Sequence, residues 1–148
     1  GVLEVGCRDC WVYNVTHVVG SVHHASGTSV TNWNGTATNA TMTVNSTTSG
    51  SVTVTASITG TVNADAVVYG ASLSTTLSLS GTVSWIAGNS MTFTIPPHRY
   101  GHAVYGAWEW ETYGHYYYLT DRCVVIDSTY MYTFVPEGSG WKAWVSTT

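Results

Sequence analysis

Residues 72–85 decide the fold class, and they read Ser-Leu-Ser-Thr-Thr-Leu-Ser-Leu-Ser-Gly-Thr-Val-Ser-Trp. Hydroxyl side chains occupy every even position, and the odd positions are apolar apart from Thr75 and Gly81. A period of two is that of a β-strand whose two faces lie in unlike environments. The run is about twice as long as a common strand of roughly 5–6 residues. It therefore predicts either a long strand of an extended β architecture or a strand that crosses a membrane.

A second run, residues 51–58, alternates in the same way, with apolar residues at even positions and Ser or Thr at odd ones. Both runs predict amphipathic strands with one apolar face. The predicted apolar face comprises Val52, Val54, Ile58, Leu73, Leu77, Leu79, Val83 and Trp85. The first run is shorter than the roughly 9–11 residues that a membrane strand needs, whereas the second is long enough.

The rest of the chain adds shorter strand patterns and no amphipathic helix. A first strand is predicted over residues 11–19 and a polar loop over 23–35, and aromatic strands are predicted over 104–110 and 115–119. These patterns predict a single all-β domain, residues 1–148, with an elongated antiparallel sheet or sandwich and long Ser/Thr-alternating strands. Within it, residues 1–20 form an N-terminal strand and candidate donor segment, and residues 51–95 form the amphipathic long-strand region.

The composition narrows the class of partner. Charged residues make up only 8% of the chain, against about 25% in ordinary soluble domains. Such a surface is poorly protected against edge-to-edge pairing, so we expect other subunits, sugar or lipid to cover it. The net charge of −4 and only 4 Lys and Arg residues argue against a nucleic-acid partner. Because the chain begins with Gly1, we expect the mature form of a secreted, extracellular protein.

The three cysteines predict a structural disulfide. Cys7 and Cys10 have the CxxC spacing, but a strand-like sequence follows them rather than the helix of a redox motif. A zinc site would need a second cysteine pair, and only Cys123 remains. We therefore expect Cys123 to be bonded to Cys7 or Cys10 in an oxidising compartment.

Four Asn-x-Ser/Thr sequences are candidate glycosylation sites: Asn14, Asn34, Asn39 and Asn45. No catalytic residues, metal ligands or cofactor are predicted. Glu109 and Glu111 read as a solvent-facing acidic pair, because nothing else in the sequence supplies a substrate cleft. His98, Tyr100 and His102 would share one face of an extended segment, but their spacing is too loose for a metal site.

Aromatic residues concentrate in the C-terminal half. The predicted aromatic interface comprises Trp108, Trp110, Tyr113, Tyr116, Tyr117 and Tyr118. On a β surface such a set acts as the core of a protein interface or as a sugar-stacking face. The alternative is that the rings form cross-strand pairs that stabilise the sheet by roughly 0.2–1 kcal/mol each.

The order of features over residues 49–118 resembles known families. Two Ser/Thr-alternating segments flank a short link, and a third ends in Thr94-Ile95-Pro96-Pro97. Tyr100-Gly101, Tyr105-Gly106-Ala107-Trp108 and the late Cys123 follow. This order, which covers about half of the chain, is similar to small secreted β proteins of actinobacteria and resembles the elongated pore-forming domain of aerolysin-like toxins. In those toxins a Ser/Thr-rich hairpin unfolds from the body and joins a membrane pore. The resemblance implies that residues 51–58 and 72–85 are the hairpin strands.

Three functions follow as expectations. The first is a secreted, non-enzymatic subunit that pairs β-strands with further copies into an oligomer or filament, with residues 2–19 as the donor strand. The alternative is a component of an aerolysin-like pore-forming toxin, whose partner is a membrane. The third is a carbohydrate-binding module that uses Trp108, Trp110 and the tyrosines.

Overall fold

The structure, a computed structural model, describes residues 9–57, 62–63, 65–70, 79 and 81–148. Every regular secondary-structure element in these residues is a β-strand, so the all-β prediction is confirmed. The strands are β1 (Cys10–Asn34), β2 (Ala40–Asn45), β3 (Gly50–Thr53), β4 (Thr55–Ala56), β5 (Val67–Tyr69), β6 (Thr82–Trp85), β7 (Ser90–Ile95), β8 (Arg99–Leu119) and β9 (Val125–Ser146).

Strand β8 is the centre of the largest sheet, whose order is β4-β9-β8-β1-β5. Hydrogen bonds join Thr112 to Thr133 and Tyr105 to Ser139, so β8 and β9 run in opposite directions. Strand β5 pairs with β1 in parallel, and β4 pairs with β9 in antiparallel fashion. Two further sheets have two strands each, β2 with β7 and β3 with β6.

The chain divides into two compact units. The first unit comprises Gly1–Val22, Thr53–Thr82 and Glu109–Pro136, and the second comprises His23–Val52, Val83–Trp108 and Glu137–Thr148. Strands β1, β8 and β9 each contribute one part to the first unit and one part to the second.

Each unit has its own hydrophobic core. In the first unit the largest cluster comprises Tyr13, Val15, Leu79, Tyr116, Met131 and Val135. In the second unit one cluster comprises Met42, Val44, Ile95 and Ala103, and another comprises Val52, Trp85, Tyr105 and Ala107. Burying one large apolar side chain contributes about 1.5–3 kcal/mol, so each of these clusters is a substantial source of stability.

The pairing of β2 with β7 shows how alternation builds the second unit. Met42 and Val44 point into the core, while Thr43 faces outward and its hydroxyl lies 3.0 Å from that of Thr92 on β7. The period-two pattern of hydroxyl and apolar side chains therefore gives one buried and one solvated face here, as the sequence indicates.

The predicted polar loop over residues 23–35 is wrong, because β1 continues unbroken to Asn34. Within it Gly20 has a φ of 106°, a backbone conformation that would strain a residue with a side chain. Beyond it, β1 stays next to β8, and Gly106 lies directly against the His24 carbonyl. Pairing with a strand distant in sequence thus determines that this segment is extended, and local propensity does not.

Glycines on β8 permit the close approach of β1, which yields a prediction. A Cβ added to Gly114 would collide with the backbone carbonyl of Asn14, whereas one added to Gly138 would meet nothing within 4 Å. We expect Gly114→Ala to lower the free energy of unfolding by roughly 1–3 kcal/mol, the range for overpacked sites. Gly138→Ala, the matched control, should change it little. Equal urea midpoints for the two variants would contradict this packing.

Tyr117 makes the free energy of unfolding decrease at high pH. Burial, followed by its hydrogen bond with Tyr69, raises the pKa of Tyr117 above the ordinary value of about 10. Below pH 10 the folded and unfolded chains both keep this proton. Above it only the unfolded chain loses the proton, so stability should fall as pH rises. Urea unfolding between pH 8 and 11 should show a shallower fall for Tyr117→Phe; identical slopes would disprove this contribution.

Candidate functional site

The structure distributes the predicted apolar face of the amphipathic runs between two cores. Val52 and Trp85 are buried in the second unit, and Leu79 is buried in the first. Val54 packs against the first-unit cluster, and Val83 is half-buried. Ile58, Leu73 and Leu77 lie outside the described residues.

Strands β3 and β6 pair the two runs with each other. They lie where the chain passes from the second unit into residues 54–81 of the first unit and where it comes back. The Val54 N–H donates to the Gly81 carbonyl at 3.3 Å. A Cβ on Gly50 would meet the indole of Trp85, which places these two residues opposite each other. From Gly50 to Val54 the residue number rises by four, while that of the opposite residue falls by four, from Trp85 to Gly81. The pairing is therefore antiparallel.

The sequence reading missed that the first run continues beyond Ile58. Even positions stay apolar or glycine through Ala66, and odd positions stay polar through Asp65. The signal was available in Thr59, Gly60, Thr61, Val62, Asn63, Ala64, Asp65 and Ala66. Gly60 at an apolar position ended the predicted run too early, because glycine usually indicates a turn.

Short contacts hold the described part of residues 54–81 against the first unit. Strand β4 pairs with β9 through Thr55 and Ala56, and the Ser57 N–H donates to the Tyr132 carbonyl at 3.0 Å. Strand β5 pairs with β1 over Val67–Tyr69. The side chains that contact the first-unit cluster are mostly small, namely Val54, Ala56, Val62, Ala66 and Val68.

The predicted aromatic interface is divided between core and surface. Tyr116 and Tyr117 are buried, and Trp110 packs against the first-unit cluster. Trp108 belongs to the second unit, where its ring lies 4.7 Å from that of His23. The remaining two have aromatic neighbours of their own, since Tyr118 contacts Trp11 and Tyr113 contacts Tyr130 and Tyr132.

A row of tyrosines is exposed in the first unit, and it lies mostly on β9. The rings of Tyr130 and Tyr132 lie 6.5 and 5.9 Å from that of Tyr113. Tyr113 also donates a 2.6 Å hydrogen bond to the Glu111 carboxylate, and this bond raises the pKa of Tyr113. Glu109 is buried rather than solvent-facing, so the expected exposed acidic pair is not present.

Asn34 cannot accept a glycan in the folded protein, which corrects one candidate site. Its side chain is buried, and its amide nitrogen donates to the carbonyls of Thr38, Ile95 and Pro96 at 2.9, 2.9 and 3.2 Å. The nitrogen that would carry the sugar is therefore already used. Asn39 and Asn45 are exposed, and Asn14 is half-buried.

The predicted disulfide of Cys123 is wrong. Cys123 has a free thiol, whereas Cys10 is disulfide-bonded, and Cys7 lies outside the described residues. Cys123 sits in the tight turn from β8 to β9, where its N–H donates to the Thr120 carbonyl at 3.0 Å and its φ is 60°. The left-handed backbone of this turn, which spacing alone does not reveal, fixes the position of the thiol.

The part of the chain that the structure describes has no candidate for two other kinds of site. There is no group of at least three His, Cys, Asp or Glu side chains placed to hold a metal ion. No helix in that part is long and apolar enough to span a membrane.

Comparison with known proteins gives little. No family model and no curated protein matches the chain. Among solved structures it is similar to the crystal structure of lamprey immune protein, at 8% identity and a TM-score of 0.36. That match covers 91% of this chain and 53% of the lamprey chain, so this chain spans about half the length of that protein. The resemblance to actinobacterial β proteins and aerolysin-like toxins stays a prediction.

The role of Asn34 as a structural hub can be tested with two matched substitutions. Asn34→Asp keeps the oxygen that accepts from Thr36 but removes the amide donor that satisfies the three carbonyls. We expect it to destabilise the fold by at least about 2 kcal/mol, because an unpaired buried group costs roughly 1–3 kcal/mol and more when it is charged. Asn45→Asp, at an exposed position, should stay within about 0.5 kcal/mol of the parent protein. Similar melting temperatures for the two variants would contradict this role.

Proposed function

We propose that the protein is a secreted, non-enzymatic pore-forming subunit. In this proposal residues 54–81 leave the first unit and rejoin as one long amphipathic hairpin that enters a membrane. The observation that supports it is the pairing of β3 with β6, where Val54 lies opposite Gly81 and Gly50 opposite Trp85. Both pairs define one register, and that register can be extended along the sequence.

Extending the register matches the two arms with one exception. Apolar residues then lie opposite apolar residues in the pairs Ala56–Leu79, Ile58–Leu77, Val62–Leu73 and Ala64–Ala71, and on the same face Gly60 lies opposite Thr75. Polar residues lie opposite polar residues in the pairs Thr55–Ser80, Ser57–Ser78, Thr59–Thr76, Thr61–Ser74 and Asn63–Ser72. A slip of one residue would place apolar side chains opposite hydroxyls throughout, so the pattern specifies this register and disfavours its neighbours.

The extended hairpin has the dimensions and polarity of a membrane strand pair. Its arms, residues 54–66 and 69–81, are longer than the roughly 9–11 residues that cross a bilayer. Its apolar face would contact lipid and its hydroxyl face would line the pore. Asp65 is the only charged residue of the segment, and it belongs to the hydroxyl face beside the tip formed by Val67 and Val68.

The described residues of the segment make few strand pairs that release would break. The strand pairs that hold its described residues to the long strands involve Thr55 and Ala56 on β9 and Val67–Tyr69 on β1. The extended hairpin would replace these few pairs with a continuous ladder along both arms. The apolar contacts of Leu79 and Val54 with the first-unit cluster would be exchanged for contacts with lipid.

A single hairpin in lipid leaves the backbone groups of its outer edges unpaired, which costs several kcal/mol for each group. Several copies must therefore associate, so self-association stays part of the proposal. The N-terminal donor strand is not part of the proposal, because Val12–Asn14 pair with β5 and β1 also pairs with β8. Val12 and Tyr13 are fully buried, so donating this segment would remove a core strand from its own molecule.

A disulfide that fixes the segment to β9 tests the proposal. Ser57 follows Ala56, which pairs with Thr133, and it lies opposite Tyr132. Opposed residues in antiparallel strands lie about 5 Å apart at Cα, within disulfide range. We expect oxidised Ser57→Cys/Tyr132→Cys, in a Cys123→Ser background, to release no dye from vesicles or erythrocytes. Reduction should restore release to the level of the Cys123→Ser protein.

The controls are the two single-cysteine variants and the Cys123→Ser parent, each measured with and without reductant, since reductant also reaches the Cys10 disulfide. Release by the oxidised double variant at the parent's rate would disprove departure of the segment. An inactive parent that forms filaments in buffer, seen by negative-stain microscopy, would instead favour the extracellular assembly.

A further inference from the structure

Four aromatic side chains from three neighbouring strands form a row in the second unit. Trp33 of β1 lies 4.7 Å from Tyr100 of β8, measured between ring centroids. His102 of β8 lies 6.2 Å from Tyr100 and stacks on Trp144 of β9 at 5.1 Å. We call these four residues the aromatic row. The sequence indicated only that Tyr100 and His102 share a face, because Trp33 and Trp144 are brought together by the sheet order.

The aromatic row lies on the face of β8 opposite the second-unit core. Gly101 and Ala103 point towards that core and are buried, whereas Tyr100 and His102 are only half-buried. Trp33 is 49% exposed and Trp144 is 45% exposed. Two large exposed indoles at the ends of one continuous row are typical of a recognition surface, whereas apolar residues scattered singly over a surface are not.

Hydrogen bonds hold the middle of the row in place. The Ser146 hydroxyl donates to the Thr148 carbonyl at 2.6 Å, so its oxygen accepts from His102 Nε2 at 2.6 Å. His102 Nδ1 then accepts from the Thr31 hydroxyl at 3.2 Å. Both ring nitrogens therefore have a hydrogen-bond partner, and these two bonds hold the imidazole against Trp144. A ligand would meet rings that are already ordered, which lowers the entropy cost of binding.

The charges of the second unit narrow the ligand class. Its charged side chains are Arg99, Glu137 and Lys142, and the Lys142 ammonium lies 5.7 Å from the centre of the Trp144 ring. A cationic ligand such as a quaternary ammonium group would be repelled by this neighbour. Single-stranded nucleic acid also stacks on aromatic rings, but it needs a groove of many cations, and this unit has two.

We propose that the aromatic row binds a glycan, with successive pyranose rings lying across Trp33, Tyr100 and Trp144. The apolar face of a pyranose presents C–H groups, which match the electron-rich faces of indole and phenol rings. Its hydroxyls would find partners along the row in Thr31, Ser146 and Lys142. The proposal is independent of the hairpin, because binding uses the folded second unit and no part of residues 54–81.

Removing the two exposed indoles is the direct test. The full-length protein is applied to an array of neutral and acidic oligosaccharides, and to insoluble chitin, cellulose and starch. We expect binding to at least one of them, reduced about tenfold or more in Trp33→Ala/Trp144→Ala. The matched control, Tyr130→Ala/Tyr132→Ala, removes the exposed tyrosines of the first unit and should bind like the parent protein.

Melting temperatures confirm that each variant is folded, and Trp33→Phe, which keeps a ring, should retain more affinity than Trp33→Ala. Absence of binding to every glycan by the parent protein would overturn the proposal. So would binding that survives in Trp33→Ala/Trp144→Ala or disappears in Tyr130→Ala/Tyr132→Ala. Loss of a dimer on removing the indoles, measured by sedimentation without any glycan, would assign the aromatic row to a second copy of the chain instead.

Discussion

The pairing of β8 with β1 on one side and β9 on the other is the constraint on which both units depend. Each core includes side chains of these strands. In the second unit β8 buries Ala103, Tyr105 and Ala107, which share one face of the strand. In the first unit it buries side chains on both faces, since Thr112 and Tyr116 are buried and so are Tyr117 and Leu119. Pairing with β1 and β9 continues along both edges of the strand.

Period-two patterning was enough to predict the all-β class, because alternation is a local property of the chain. It was not enough for β1, whose residues 23–34 read as a polar loop but stay extended beside β8. The same limit explains Cys123. Its spacing allowed a bond to either upstream cysteine, whereas the hydrogen bonds of the turn after β8 decide where its thiol lies. Long-range pairing and turn geometry are set by contacts that no short window contains.

The two candidate surfaces also differ in how far the sequence alone predicts them. The alternation that continues from Ile58 to Ala66 could be read from the sequence, yet its meaning depends on the register that Val54 and Gly81 define. The aromatic interface predicted around Trp108 and Tyr117 assumed that nearby aromatics share a surface. The structure buries Tyr117 and instead assembles its exposed rings across strands that are distant in sequence.

The low charge of the chain has a physical explanation in the proposed pore. A segment that moves from a protein surface into lipid cannot carry charges on its apolar face, because each would cost several kcal/mol to bury. Hydroxyls suit such a change of surroundings, since they can hydrogen-bond to protein groups, as Ser57 does to the Tyr132 N–H, and would bond to water in a lumen. Asp65, the exception, lies at an odd position and would face that lumen beside the tip. The Ser/Thr face can therefore be hydrogen-bonded in both states, and the apolar face carries the free-energy difference between protein core and membrane.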